Sequence, residues 1–220
     1  MDGKPAAAKT VSRKRSVLYN ALEYAVDEKL LIKNRLPDIK WTAPKEVKAI
    51  DKRVVINPKQ FERLLAGVAA QYIDGEPRRS SGPMLVAHFG TQYYAALRPE
   101  EAAMLSKPDL LLPDMEWDED AQDWVFPEGE DGWGELLLSQ AAPTAGAAWT
   151  DSNERRDRRQ LKQRAVGEVR RVPSPPPLTK LLHAHLQRFG TAARLFRSLT
   201  GGDLSESTVN RVWATPARRR

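Results

Sequence analysis

The sequence predicts an α+β protein, mainly helical with one small antiparallel sheet. Three observations predict it. Apolar residues recur at helical spacing in several separated stretches. The middle of the chain instead sets short Trp-, Val- and Leu-bearing runs between Asp, Glu, Gly and Pro clusters, the pattern of short strands. At 220 residues with 41% hydrophobic composition, the chain is long enough to bury a core, with one full domain and part of another.

The elements follow in order. Thr10 or Ser12 is placed to cap a helix running to about Leu31, with Leu18, Ala21, Leu22, Ala25, Val26 and Leu30 at helical spacing. Asn34 to Pro44, with two prolines and Trp41, reads as a loop, and the charged residues 42–56 read as an interdomain linker. Asn57-Pro58 is a helix start, a cap followed by proline at the first helical position. Phe61, Leu64, Leu65, Val68 and Tyr72 form its stripe, and residues 74–82 read as a polar loop. Pro83 opens a helix apolar on most sides, and therefore buried. It breaks at Leu97-Arg98, because Pro99 disfavours the helical conformation at the residue before it. Pro99 starts a short helix to about Leu105.

Trp117, Trp124 to Phe126 and Trp133 to Leu138 are expected strands of the small sheet, and residues 139–160 a long loop. Val166 to Val172 reads as a strand ending at Pro173. Pro175-Pro176-Pro177 leads into a helix through Phe189, with Gly190 as its C-cap. Ser205 caps a last helix with Val209, Val212 and Trp213. No internal repeat is present.

Charge is unevenly placed. Residues 1–60 carry 14 basic and 7 acidic groups, residues 61–150 carry 5 and 16, and residues 151–220 carry 16 and 6. Two basic ends thus flank an acidic middle, and clustered Lys and Arg are the footprint of a polyanion partner. The sharpest runs are Arg13-Lys14-Arg15, Arg155-Arg156-Asp157-Arg158-Arg159 and Arg218-Arg219-Arg220. Basic residues in the first turns of a helix oppose its dipole, so an external anion would explain Arg13, Lys14 and Arg15.

Several chemistries are excluded. Without cysteine there is no disulfide scaffold, thiolate metal site or Cys nucleophile. Neither common phosphate-binding glycine loop is present. His183 and His185 lie two apart on a helix and do not share a face, and His88 falls in the buried helix. All three read as structural. The acidic run Asp114 to Asp131 reads as a solvated loop and sheet edge rather than a cation site. The polar, basic start lacks the apolar segment of a secretory signal, and no apolar run is long enough for a membrane span, so the expected compartment is the cytoplasm.

One motif carries chemistry: Tyr94-Ala95-Ala96-Leu97-Arg98-Pro99-Glu100-Glu101-Ala102-Ala103-Met104-Leu105. A helix that breaks at Leu97-Arg98 and restarts at Pro99 aims an arginine outward from a fixed backbone. Glu101, three residues on, is in reach to orient its guanidinium, and an oriented guanidinium is a bidentate phosphate binder. A plain structural Arg–Glu pair is the other reading of the same residues.

The stretch resembles the first catalytic arginine box of the tyrosine recombinases, the phage-integrase family, where Thr-Gly-Leu-Arg is followed three residues later by Glu. Here Ala96 stands in place of the usual Gly. Ser12 to Leu31 resembles the last long helix of the family's core-binding domain, and Asn57 to Tyr72 the helix that opens its catalytic domain. Leu161-Lys162-Gln163-Arg164 through Arg170-Arg171-Val172-Pro173 resembles the hairpin that carries the family's catalytic lysine. The Leu195-Phe196 pair and Gly201-Gly202 also fit the family's order.

The resemblance implies a tyrosine-recombinase-like architecture: residues 1–41 as the C-terminal part of a core-binding domain, 42–56 as linker and 57–220 as the N-terminal portion of a catalytic domain. It implies site-specific DNA cleavage and rejoining through a 3′-phosphotyrosine, with no metal or nucleotide cofactor. The partners it implies are double-stranded DNA and other recombinase subunits, with no membrane and no small-molecule substrate. Arg98, Glu101 and Lys162 are its candidate catalytic residues. Arg164 competes with Lys162 for the hairpin position, although arginine is a poor proton donor at neutral pH. The DNA-binding candidates are Arg13, Lys14, Arg15, Arg155, Arg156, Arg158, Arg159 and Arg164.

The family's His-x-x-Arg box is not found, and all five tyrosines precede Arg98. The expectation is therefore a truncated recombinase, inactive alone, with Trp213 and Val209 exposed. The alternatives are a non-catalytic DNA-binding or regulatory module derived from an integrase, and an unrelated protein-interaction domain.

Overall fold

The structure, a computed structural model, describes residues 6–45, 54–71, 81–120 and 123–217. Positions 46–53 of the expected linker, Tyr72, most of the 74–82 loop and the Arg218-Arg219-Arg220 run lie outside the described residues. The chain divides into two compact units, Met1–Ile56 and Asn57–Arg220.

In the first unit, helix α1 spans Ala8–Asp27 without a side-chain cap. It starts before Thr10 and Ser12, so neither is the cap the sequence suggested. The alanines at positions 6–8 are strong helix formers and carry the helix back past them. It also stops short of Leu31: Lys29 takes a left-handed φ of 60°, and the amides of Leu30 and Leu31 fold back onto the Ala25 carbonyl. No residue of α1 is buried. The following loop is pinned by buried Asn34, whose amide nitrogen donates to Glu23 Oε1 at 2.7 Å and whose Oδ1 accepts from the Leu36 amide at 2.9 Å.

In the second unit, α2 spans Pro58–Ala69, and Asn57 and Gln60 form a reciprocal capping box. Its buried stripe is Phe61, Leu65 and Val68. Helix α3, Gly82–Tyr94, is buried along most of its length. It packs against α5, Pro176–Phe189. The approach is close at Gly90, where a Cβ would lie 2.9 Å from Leu181 Cδ1. Gly190, at φ 65°, ends α5 as its sequence position suggested. The last helix, α6 (Glu206–Ala217), starts at Ser205, whose Oγ accepts from the Thr208 amide at 3.2 Å.

The exposure expected for Trp213 and Val209 is not found. Val212 is buried, Val209 is half-buried, and the Trp213 ring sits 4.6 Å from Phe89 and 6.4 Å from Phe61. Helix α6 packs on α2, so the apolar face of the last helix closes on the first helix of its own unit.

The strands are more dispersed than a single sheet. Strands β1 (Leu110–Leu111), β4 (Gly134–Leu138) and β7 (Arg170–Ser174) form an antiparallel sheet in the order β1-β4-β7. Strands β2 (Glu116–Asp118) and β3 (Asp123–Val125) form a separate ribbon, in which Trp117 pairs with Trp124. Residues 139–160 are not one open loop. Strands β5 (Gln140–Ala141) and β6 (Arg159–Gln160) pair, and a bridge joins Thr144 to Arg156. Strand β7 begins at Arg170, not Val166, and runs through Pro173, which pairs with Glu135. As an edge strand, β7 tolerates a residue without an N–H. No helix among the described residues is long and apolar enough to cross a membrane.

Candidate functional site

The site is built where α3 ends. Ala95 and Leu97 both donate to the Thr91 carbonyl, at 3.2 and 3.3 Å, and Ala96 between them takes a left-handed φ of 51°. That conformation is costly for any residue with a Cβ, which accounts physically for glycine at this place in the resembling motif. Leu97 is buried, while Arg98 is extended, at φ −70° and ψ 150°, and heads the short helix α4, Pro99–Ala102. This helix is shorter than the one expected to reach Leu105; residues 103–105 continue as turns.

Glu101 is only 2% exposed, and both of its oxygens are engaged. Oε2 accepts from the Arg98 amide at 2.9 Å, and Oε1 from Arg98 Nη1 at 3.1 Å. Oε2 also accepts from Arg170 Nη2 at 2.9 Å. The Arg98 side chain remains 57% exposed and that of Arg170 30%. A buried carboxylate thus holds two guanidiniums; their solvent-exposed donors can meet an anion, whereas Arg170 Nε is itself buried.

Lys162, the hairpin candidate, stands on an exposed turn after β6, with no hydrogen bond or ion pair joining it to this site among the described residues. Arg164 pairs with Glu168. Within the basic run, Arg155 is exposed, Arg158 pairs with Glu154 at 3.4 Å and Arg159 with Asp157 at 4.0 Å. Arg156 turns inward: Nη1 donates to the Ala142 carbonyl and Nη2 to that of Leu204, so it ties the β5–β6 lobe to the chain before α6. In the first unit, Arg13 and Lys14 are exposed. Arg15 is half-buried, donates to the Leu36 carbonyl at 2.9 Å and lies 4.6 Å over the Trp41 ring.

The sequence reading did not single out Arg170 as a site residue, although it lies in the Arg170-to-Pro173 stretch of the resemblance. A further local signal is alternation along β7, where exposed Arg171 and Pro173 interleave with half-buried Arg170 and Val172 and buried Ser174.

The histidines hold the framework. His183 Nε2 pairs with the Pro113 carbonyl at 2.8 Å, and His185 Nε2 with that of Leu195 at 2.9 Å. Burial lowers the pKa of His185, with the Arg197 charge adding to it against the Leu195 hydrogen bond. His88 packs among Phe89 and Phe196, and neither ring nitrogen has a hydrogen-bond partner among the described residues. Burial, then the nearby charges of Arg156 and His185, push its pKa down to about 4.

Neither tyrosine with a shifted pKa is shifted toward activation. The Glu23 charge raises the pKa of Tyr19 and burial raises that of Tyr94, while Tyr93 stacks on Phe61 at 3.9 Å.

No protein-family model matches the sequence, and no curated protein does. Solved structures do. The Tn1549 transposon integrase in complex with transposon right-end DNA aligns over 100% of this chain and 62% of its own, with a TM-score of 0.62 and 14% identity. The same integrase in complex with circular intermediate DNA aligns over 100% and 60%, with a TM-score of 0.56 and 14% identity. The chain therefore has the tyrosine-recombinase fold. It spans about three-fifths of the length of those integrase chains.

Proposed function

We propose that this protein binds double-stranded DNA as the arginine-bearing part of a tyrosine-recombinase active site, integrase-like by descent. The observation that carries the reading is the Arg98–Glu101 geometry: a buried carboxylate fixes an outward guanidinium by its own amide and by one arm of its fork. A pre-oriented guanidinium stabilises negative charge on a phosphate without reorganising at the moment of reaction. The integrase that shares the fold is held on DNA in both solved structures, which supports the same class of ligand here.

The 220 residues alone are catalytically incomplete in this reading. A covalent phosphotyrosine step needs an activated hydroxyl beside the clamped phosphate. The five tyrosines all precede Arg98, and the two with shifted pKa values are shifted away from activation. The exposed Arg13, Lys14, Arg155, Arg158 and Arg159 supply further, sequence-independent phosphate contacts.

The test is fluorescence anisotropy with a short labelled duplex across a salt series. For about 4–6 phosphate contacts, the log–log slope of affinity against salt is roughly −4 to −5, and Arg98→Ala makes it shallower by about 0.9. Absence of binding at low salt, or an affinity indifferent to salt, overturns the reading. Incubation with duplex leaves no covalent protein–DNA adduct on a denaturing gel; an adduct would refute the incompleteness.

A second reading, a self-standing DNA-binding or regulatory module, is favoured by the docking of α6 through Val212 and Trp213. A single cooperative thermal transition together with specific DNA binding would put that reading first.

A further inference from the structure

We infer that Arg170 is the second arm of the phosphate clamp, so that Arg98 and Arg170, fixed on the two oxygens of Glu101, close on one phosphodiester monoanion of the DNA backbone; the inference rests on the DNA-binding reading above. It starts from a charge count. Two guanidiniums face one carboxylate, and no other carboxylate pairs with either of them among the described residues. A single arginine would have neutralised Glu101. The second leaves one positive charge over, and a phosphodiester carries the one negative charge that balances it.

The protein leaves the Arg170 guanidinium incompletely satisfied. Nη2 donates to Glu101, Nε is buried without an acceptor among the described residues, and the 30% of the side chain that faces solvent is what a ligand can reach. Its backbone is well held. Arg170 opens β7 opposite buried Leu138, in a ladder that continues through Leu137–Arg171, Leu136–Val172 and Glu135–Pro173. Arg98 is held just as firmly, between the left-handed Ala96 and Pro99. A clamp built on a strand end and a helix start keeps its spacing when the ligand arrives, which is what fork recognition of a phosphate needs. The neighbouring Arg171 belongs to a different task, since it turns to Glu135 across the sheet at 2.9 Å.

The experiment uses the full chain, a short fluorescein-labelled duplex and salt between about 50 and 200 mM. Arg170→Ala should weaken binding roughly tenfold and make the salt slope shallower by about 0.9, as Arg98→Ala does. Arg170→Lys keeps the charge without the fork and should recover the slope but not the full affinity. The double variant Glu101→Gln with Arg170→Met separates ligand contact from structural neutralisation. If Arg170 serves only to offset Glu101, this double variant folds and binds with the slope of the unchanged protein, and the inference falls. If Arg170 touches phosphate, it folds and stays one contact short. The same comparison decides the matter if Arg170→Ala alone fails to fold. An altered slope for Arg98→Ala with none for Arg170→Ala overturns this inference and leaves the DNA-binding reading standing. No salt-dependent binding by the unchanged protein removes both. Competition by inorganic phosphate at the same concentration of phosphate groups as the duplex would show a free-anion site instead and would also overturn it.

Discussion

Glu101 and His88 are both about 2% exposed, on neighbouring elements of one unit, and the fold treats them in opposite ways. Glu101 is surrounded by donors: one amide and two guanidiniums meet its two oxygens. His88 is surrounded by rings, and both of its nitrogens go without a partner among the described residues. A buried ionisable group is tolerated either by pairing its charge or by losing it. The first solution leaves two guanidiniums on one carboxylate, an excess of positive charge. The second leaves a pH-dependent weakness.

The largest effect that sharpens this contrast is acid destabilisation centred on His88. Its folded pKa of about 4 lies below the ordinary 6.5, so as pH falls the unfolded chain takes up the proton first. Stability is full above about pH 6.5, declines between about 6.5 and 4, and levels off below, a loss of about 3 kcal/mol. His185, shifted in the same direction, adds to the loss. Denaturant melts at stepped pH should show this slope, and His88→Met should flatten most of it. An unchanged slope in that variant would place the acid sensitivity elsewhere.

Next in size is Glu101→Ala. Removing the shared carboxylate leaves two guanidiniums side by side, but both reach solvent, so the cost is about 2 kcal/mol rather than that of a fully buried pair. The loss should appear in thermal melts at neutral pH and shrink with added salt, which screens the arginines. A cost that ignores salt would mean that Glu101 acts mainly by packing.

The smallest effect is a gain. Ala96→Gly relieves the left-handed φ of 51° just before Arg98 and should stabilise the fold by about 0.5–1 kcal/mol. A raised melting temperature with unchanged DNA affinity would show that the strain is incidental to the arginine. Weaker binding would show that the rigid Ala96 helps hold Arg98 in place.

Interactions that span a few residues were legible in the sequence. The Asn57 cap before Pro58, Gly190 after α5 and Ser205 before α6 are local, and each stands where its residue type indicates. So is the Arg98–Glu101 pair, because helix geometry brings residues three apart together. The cap at Thr10 or Ser12 misled because helix propensity continues upstream of it, and nothing downstream in the chain marks α1 as capless. The basic run at Arg155–Arg159 looked uniform in sequence, yet Arg156 spends its donors on two carbonyls of its own fold. Charge counts do not distinguish an arginine that is free for a ligand from one already engaged.

The sequence by itself therefore determined the class of fold, most of the helices and the Arg98–Glu101 pair, since each depends on side-chain periodicity or on contacts within a turn. Only the tertiary structure decided the contact of Arg170 with Glu101. Arg170 meets Glu101 across 69 residues, through the β4–β7 ladder, which closes over the excursion containing β5 and β6. The same is true of Trp213 against Phe61 and Phe89, and of His88 among the rings of Phe89 and Phe196. Such contacts are set by how the helices and strands pack on one another, and no local preference of the residues involved encodes that packing.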